Sequence, residues 1–187
     1  MLLSSLYSLL FPSFCLHCSQ ELDSKTNLLC PACFDLLTPS SYPFVCFQQE
    51  GPASSLVYAF TEKDMPYLAK SLAGFMLLHH QEARLKTPDL IAYIPQSLIE
   101  TTIRGYNPSA LLACELAKLF QVGYMSANAL EDVSNKQILL VGDVFTEKIE
   151  ASQNCELLFL LKHSKNEHST EKGDGATKEE KTGECNG

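Results

Sequence analysis

The stretch Lys136-Gln-Ile-Leu-Leu-Val-Gly-Asp-Val-Phe-Thr146 constrains this chain most. Residues 138–141 are apolar without a break. A strand with one face in water alternates apolar and polar residues, whereas a short unbroken run reads as a strand buried on both faces, the habit of a parallel sheet. In open α/β sheets the ligand site lies just beyond the carboxyl ends of such strands. Asp143 and Thr146 fall there, and they are the chain's first candidates for chemistry.

A chain of 187 residues accommodates one α/β core and a small appendage. The net charge of −8 excludes a broad positive field for nucleic acid, leaving only a local contact open. Four of the eight cysteines stand in C-x-x-C pairs, which is metal-ligand spacing and not a disulfide framework. No apolar run approaches the ~18 residues of a membrane span. Residues 1–11 lack the basic start and the small-residue cleavage site of a signal peptide, so a cytoplasmic protein with reduced thiols is expected.

Leu2, Leu3, Leu6, Leu9 and Leu10 recur at helical spacing with serines between them, which predicts a short amphipathic helix packing on the appendage. Membrane contact is the alternative, weakened by the lack of Lys or Arg on the polar face. Cys15-Leu-His-Cys18 and Cys30-Pro-Ala-Cys33 then offer four thiolates for tetrahedral zinc, with His17 in place of one thiolate as a minor variant. Four protein ligands close the coordination sphere, so the metal is expected to be structural. Cys46 reads as a small buried residue.

Residues 52–60 have a β-type centre, Leu56-Val-Tyr-Ala-Phe60, and begin the larger domain. Asp64 and Pro66 start a helix reaching about Leu85, with Leu68, Leu72, Phe75 and Met76 on its buried face. His79 and His80 in its last turns read as structural. Residues 89–94 form the next strand, stopped by Pro95. Asn107 and Pro108 are an N-cap and a first helical residue, and Leu111, Leu112, Leu116, Leu119 and Phe120 form the stripe of a helix to about Gln121. Arg104 is thus placed in a loop beside a helix N-terminus, where anions are favoured. The polar composition from residue 164 onward predicts a disordered tail.

The zinc pairs, the strand leading to Arg104-Gly-Tyr-Asn107, the helix with Leu112-Ala113 and the 139–146 stretch come in the order of the ComF family, which the chain resembles over roughly residues 1–161. ComF proteins are associated with competence and join an N-terminal zinc ribbon to a type I phosphoribosyltransferase-like domain. The resemblance implies an α/β fold with a mostly parallel sheet, divided as amphipathic helix and zinc ribbon (1–50) and phosphoribosyltransferase-like domain (51–163), with the polar tail (164–187) lying beyond the resemblance. It also implies a part in DNA uptake during natural transformation, with uptake or recombination proteins as partners; the acidic balance separately predicts little direct nucleic-acid binding.

The 141–150 stretch resembles the phosphoribosyl-diphosphate loop of that enzyme class: apolar residues, two acids, two variable residues, then Thr-Thr-Gly-x-Thr. In that class the acids hold the ribose hydroxyls, sometimes through magnesium, and the Thr-rich turn wraps the 5′-phosphate. Asp143 and Thr146 match, and Arg104 joins them as a substrate-binding candidate. Gly142 replaces the first acid, while Glu147, Lys148 and Glu150 replace a threonine, the glycine and the last threonine. A carboxylate ~4 Å from a phosphate dianion, at an effective dielectric of ~20, costs several kcal/mol. Glu147 and Glu150 equally suit the first turn of a following helix. The family's second cysteine pair near Cys46 is missing, and the 122–135 segment is short enough that loss of a strand or flap is expected. Sequence therefore favours a catalytically degraded binding or assembly factor. The alternative is an active phosphoribosyltransferase using phosphoribosyl diphosphate and Mg, with Asp143 as its catalytic candidate.

Overall fold

The structure is a computed structural model describing residues 13–22, 28–132, 135–145 and 154–162. The expected helix at 1–11, the loop residues Thr146, Glu147, Lys148 and Glu150, and the tail at 164–187 lie outside the described residues.

Five strands form one sheet, in the order β3-β7-β6-β4-β5. They are β3 (Val45–Phe47), β4 (Leu90–Tyr93), β5 (Gly123–Ser126), β6 (Ile138–Phe145) and β7 (Cys155–Lys162), and every neighbouring pair is parallel. The unalternating run occupies the middle strand, where Leu139 and Val141 face one core and Leu140 the other. The segment expected to have lost a strand still supplies β5, an edge strand paired with β4.

Helices α2 (Gly51–Glu62), α3 (Ala69–Glu82) and α5 (Pro108–Phe120) pack on one face of the sheet. Residues 52–60 are therefore helix and not strand. The β-favouring side chains of Leu56-Val-Tyr-Ala-Phe60 are overruled by spacing: Ala53, Leu56, Val57 and Phe60 are all buried, which is one face of a 3.6-residue period. Gly51 opens this helix at φ +49, a left-handed backbone that glycine adopts without penalty.

A 3-10 turn (Pro66–Leu68) leads into α3, whose His80 is buried with Nε2 3.1 Å from the Lys86 carbonyl oxygen and its ring edge-on to Phe120. His79 Nε2 meets the Pro43 carbonyl oxygen at 3.1 Å, so both histidines hold loops to the helix. Asn107 caps α5 as expected, its Oδ1 accepting from the Ala110 N–H at 3.0 Å. The buried stripe of α5 is Pro108, Ser109, Leu112, Ala113, Leu116 and Ala117; of the expected residues, Leu112 and Leu116 are fully buried, Leu111 and Phe120 pack partly buried against the core, and Leu119 is 48 % exposed.

The second face of the sheet carries a smaller core of Val45, Phe145, Leu157 and Phe159, with Phe44, Ile94 and Leu140 against it. No helix among the described residues is long and apolar enough to cross a membrane.

Candidate functional site: a four-thiol cluster and the carboxyl end of the central strand

The N-terminal appendage is built from very short elements. Strand β1 (Ser13–Phe14) pairs antiparallel with β2 (Glu21–Leu22), and the turn between them holds Cys15 and Cys18. The Cys15 N–H donates to the Gln20 carbonyl oxygen at 2.8 Å, and Ser19 reverses the chain at φ 61. Cys30 is the N-cap of the single helical turn α1 (Pro31–Phe34) and Cys33 lies within it, with Pro31 pre-set at the first position. A bond from the Leu16 N–H to the Leu28 carbonyl oxygen, 3.0 Å, ties the two halves together.

The four sulfurs converge, all within 4.8 Å of one another, with Cys18 Sγ 3.7 Å from Cys30 Sγ. Cys15, Cys30 and Cys33 are buried and Cys18 is exposed. Burial pushes the Cys15 thiol up, but the backbone groups of Cys18, Cys30 and His17 outweigh it and bring the value down to about 6. Burial raises the Cys33 thiol, and its sulfur neighbours raise it further. One member of the set thus ionises readily while another resists, which is how thiols crowded into a small volume share protons. The donor set fits a soft divalent cation, since four sulfurs at this spacing close a tetrahedral sphere. His17 stays outside the cluster: its Nδ1 lies 2.9 Å from Ser55 Oγ on α2. Cys46 is a buried β3 residue in the main core, and burial raises its thiol.

The second candidate region is the carboxyl end of β6. Asp143 accepts a hydrogen bond at Oδ1 from Ser109 Oγ, 3.0 Å away. Ser109 sits in the first turn of α5 and is 2 % exposed. Asn107 fixes that helix start to the end of β4 by donating from Nδ2 to the Ile94 carbonyl oxygen at 3.1 Å. Gly142 is buried because the ring of Phe159, its register partner on β7, occupies its side-chain space. A Cβ at 142 would lie 2.3 Å from Phe159 Cε1 and 3.1 Å from Ile94 Cδ1.

Arg104 is not in a loop. It ends a further helix, α4 (Leu98–Arg104), and its Nη2 donates to Glu62 Oε1 at 3.0 Å. Gly105 turns the chain at φ +78, and the Tyr106 hydroxyl donates to the Phe60 carbonyl oxygen. Burial raises the Tyr106 phenol, with the Asp64 and Glu62 carboxylates adding to the shift and Arg104 opposing it. Each residue of Arg104-Gly105-Tyr106-Asn107 is therefore spent on architecture, fastening the end of α2 and the end of β4 to the start of α5. The structure brings Asp143 to Ser109 and engages Arg104 elsewhere; Thr146 lies outside the described residues.

Sequence reasoning missed Ser109 and Phe159, whose partners are distant in the chain. It also missed Gln96, just past β4, whose Oε1 is buried with no hydrogen-bond partner among the described residues. Comparison with protein-family models, curated proteins and solved structures returns no match to this chain. What stands is an α/β domain with a parallel five-stranded sheet and a four-cysteine, zinc-ribbon-like cluster able to hold a metal ion.

Proposed function

We propose that this protein is a ComF-like factor of DNA uptake or recombination, a zinc ribbon joined to a phosphoribosyltransferase-like domain that binds or assembles partners and does not transfer phosphoribosyl groups. The observation that carries this reading is the Phe159 ring packed where an acid at position 142 would extend. A pocket that grips ribose hydroxyls with paired carboxylates needs room for both, and position 142 is closed by Phe159. Arg104 supports the same view, because its guanidinium is engaged by Glu62.

Zinc is the metal that four thiolates suit best, and with every position filled by protein it holds structure and activates no water. The family order of features, from thiol pairs to capped helix to central strand, supports the ComF assignment. The net charge of −8 favours action through protein partners, in the cytoplasm, over direct grip on DNA. The second reading, an active phosphoribosyltransferase using Mg with Asp143, Thr146 and Arg104, is favoured by Asp143 standing near the end of the middle strand.

A calorimetric titration with phosphoribosyl diphosphate and Mg decides between them. The expected outcome is no binding tighter than millimolar, about −4 kcal/mol. Micromolar affinity would overturn the degraded-site reading and establish the second. A parallel titration with single-stranded DNA is expected to show weak binding that salt abolishes.

A further inference from the structure

The thiol cluster and the α/β domain share one core. Cys15, Cys30 and Cys33 belong to the same continuous apolar cluster as Leu56 and Phe60 of α2, Leu72 and Met76 of α3, and Leu158 of β7. Two side-chain links cross the junction, and a third contact joins β3 to the same place on α3. His17, between the first two thiols, meets Ser55 of α2 at 2.9 Å. Phe34, next to Cys33, has its ring centroid 6.2 Å from Phe75 of α3. Phe47, at the end of β3, packs edge-on to the same Phe75 at 5.5 Å.

Strand β3 is held from both sides. On one side it pairs with β7, Val45 opposite Phe159 and Phe47 opposite Leu161. On the other, the Ser40 N–H donates to the Cys46 carbonyl oxygen at 3.1 Å, and the Gln48 N–H to the Thr38 carbonyl oxygen at 3.0 Å. The Thr38 carbonyl and the Ser40 N–H in these bonds lie in the segment that leaves Cys33. Between Cys30 and Phe47 the chain has only a four-residue helical turn and a three-residue strand. Elements this short do not persist on local bonding; they need tertiary anchors.

We propose that metal occupancy of the four thiols fastens the α/β domain itself, so that release of the metal frees β3 and loosens α2 and α3, and not the appendage alone. This rests on the reading of Cys15, Cys18, Cys30 and Cys33 as a metal site. Helix α5 and strands β4 and β6 are tied by the Asn107 and Ser109 bonds, which touch none of the junction residues, so they form the part least dependent on the metal.

The test is amide hydrogen exchange on the full chain, as purified and after removal of metal by a chelator, with metal content measured in both states. Expected is a loss of protection of about tenfold or more in β3, α2 and α3 as well as in residues 13–40, since sub-global opening exposes whole cooperative units. Re-addition of zinc restores it. Exchange that rises only in residues 13–40 of a chain shown to bind metal overturns this proposal and leaves the metal site standing. A chain that carries no metal and takes none up from added zinc overturns the metal reading and this proposal together. Phe34→Ala keeps all four thiols and removes one link. It is expected to bind metal at wild-type stoichiometry while the α3 response to chelation shrinks; an undiminished α3 response counts against coupling through the junction.

Discussion

The thiol cluster and the carboxyl end of β6 are both places where chemistry-bearing side chains converge, yet they differ in what the protein has left unsatisfied. At the cluster, four sulfurs lie within 4.8 Å of one another, and the neighbouring histidine is turned away to Ser55. At the strand end, Asp143 is held by Ser109, Arg104 by Glu62, and the space at Gly142 is filled by Phe159. A site that binds something keeps donors or acceptors pointed at an absent partner. A site that only supports the fold has spent them internally. On that criterion the first region is poised for a ligand, while at the second the described side chains of Asp143 and Arg104 have internal partners and the buried Oε1 of Gln96 has none among the described residues.

The largest expected effect comes from breaking the first region. Cys30→Ser should abolish stoichiometric metal binding, because a buried thiolate cannot be replaced by a hydroxyl that stays protonated. Binding free energies of structural zinc in small peptides are on the order of 10 kcal/mol at neutral pH, so no other single substitution should cost as much. Metal analysis of wild type and variant checks this directly; equal metal content in the two would remove Cys30 from the ligand set.

Next in size is Gly142→Asp, the change that would rebuild the acid pair. Its Cβ would meet Phe159 Cε1 at 2.3 Å and Cδ1 at 2.7 Å, and Phe159 is fully buried. Overpacking alone costs ~1–3 kcal/mol, and desolvating the new carboxylate adds to that. The expected outcome is clear destabilisation in urea with no gain of phosphoribosyl diphosphate binding, and partial recovery of stability when Phe159→Leu is added. A Gly142→Asp variant as stable as wild type would mean that the ring moves aside freely and that the second region is more open than described.

How much of this was legible in the sequence follows from how local each signal is. The central strand, the capped helix α5 and the thiol pairs each declare themselves within about a dozen residues, and each stands where it was expected. Helix α2 is poorly marked because Leu56-Val-Tyr-Ala-Phe60 looks strand-like over five residues, while its helical spacing emerges only over the longer run from Ala53 to Phe60. Helix α4 carries Thr101 and Thr102 just after Pro95, and local propensity gives it little support. The state of the site was the least legible part. Ser109 and Asp143 are 34 positions apart, and Phe159 reaches Gly142 only through the β6–β7 register. Neither relation leaves a mark in any window of sequence.

Ser109→Ala should have a moderate effect. The hydroxyl is buried, its donation to Asp143 is charge-assisted, and alanine fits without a clash, so the loss is that of one such bond, ~1.5–3 kcal/mol. The double variant with Asp143→Ala should lose less than the sum of the two single changes, because one interaction cannot be removed twice. Strict additivity would show that Ser109 and Asp143 do not interact in solution.

Arg104→Ala should have the smallest effect on stability, and that makes it the sharpest probe of the contrast. The Arg104–Glu62 pair is 3.0 Å long, but the Glu62 side chain is 51 % exposed, so water and salt screen it. Exposed pairs of this kind contribute ~0.2–1 kcal/mol. The difference between wild type and variant should shrink further at high ionic strength, where the Debye length falls to ~3 Å at 1 M. If Arg104 were instead held ready for an anionic ligand, the substitution would leave stability untouched and weaken phosphate-containing ligands by tenfold or more, the loss of one charge-assisted contact. The two roles therefore predict opposite signatures in two inexpensive measurements, a denaturation curve at low and high salt and a titration with phosphoribosyl diphosphate. A small, salt-sensitive stability loss with no change in ligand binding places Arg104 with the architecture that also employs Gly105, Tyr106 and Asn107. The reverse pattern would return it to the binding site and reopen the region at the end of β6.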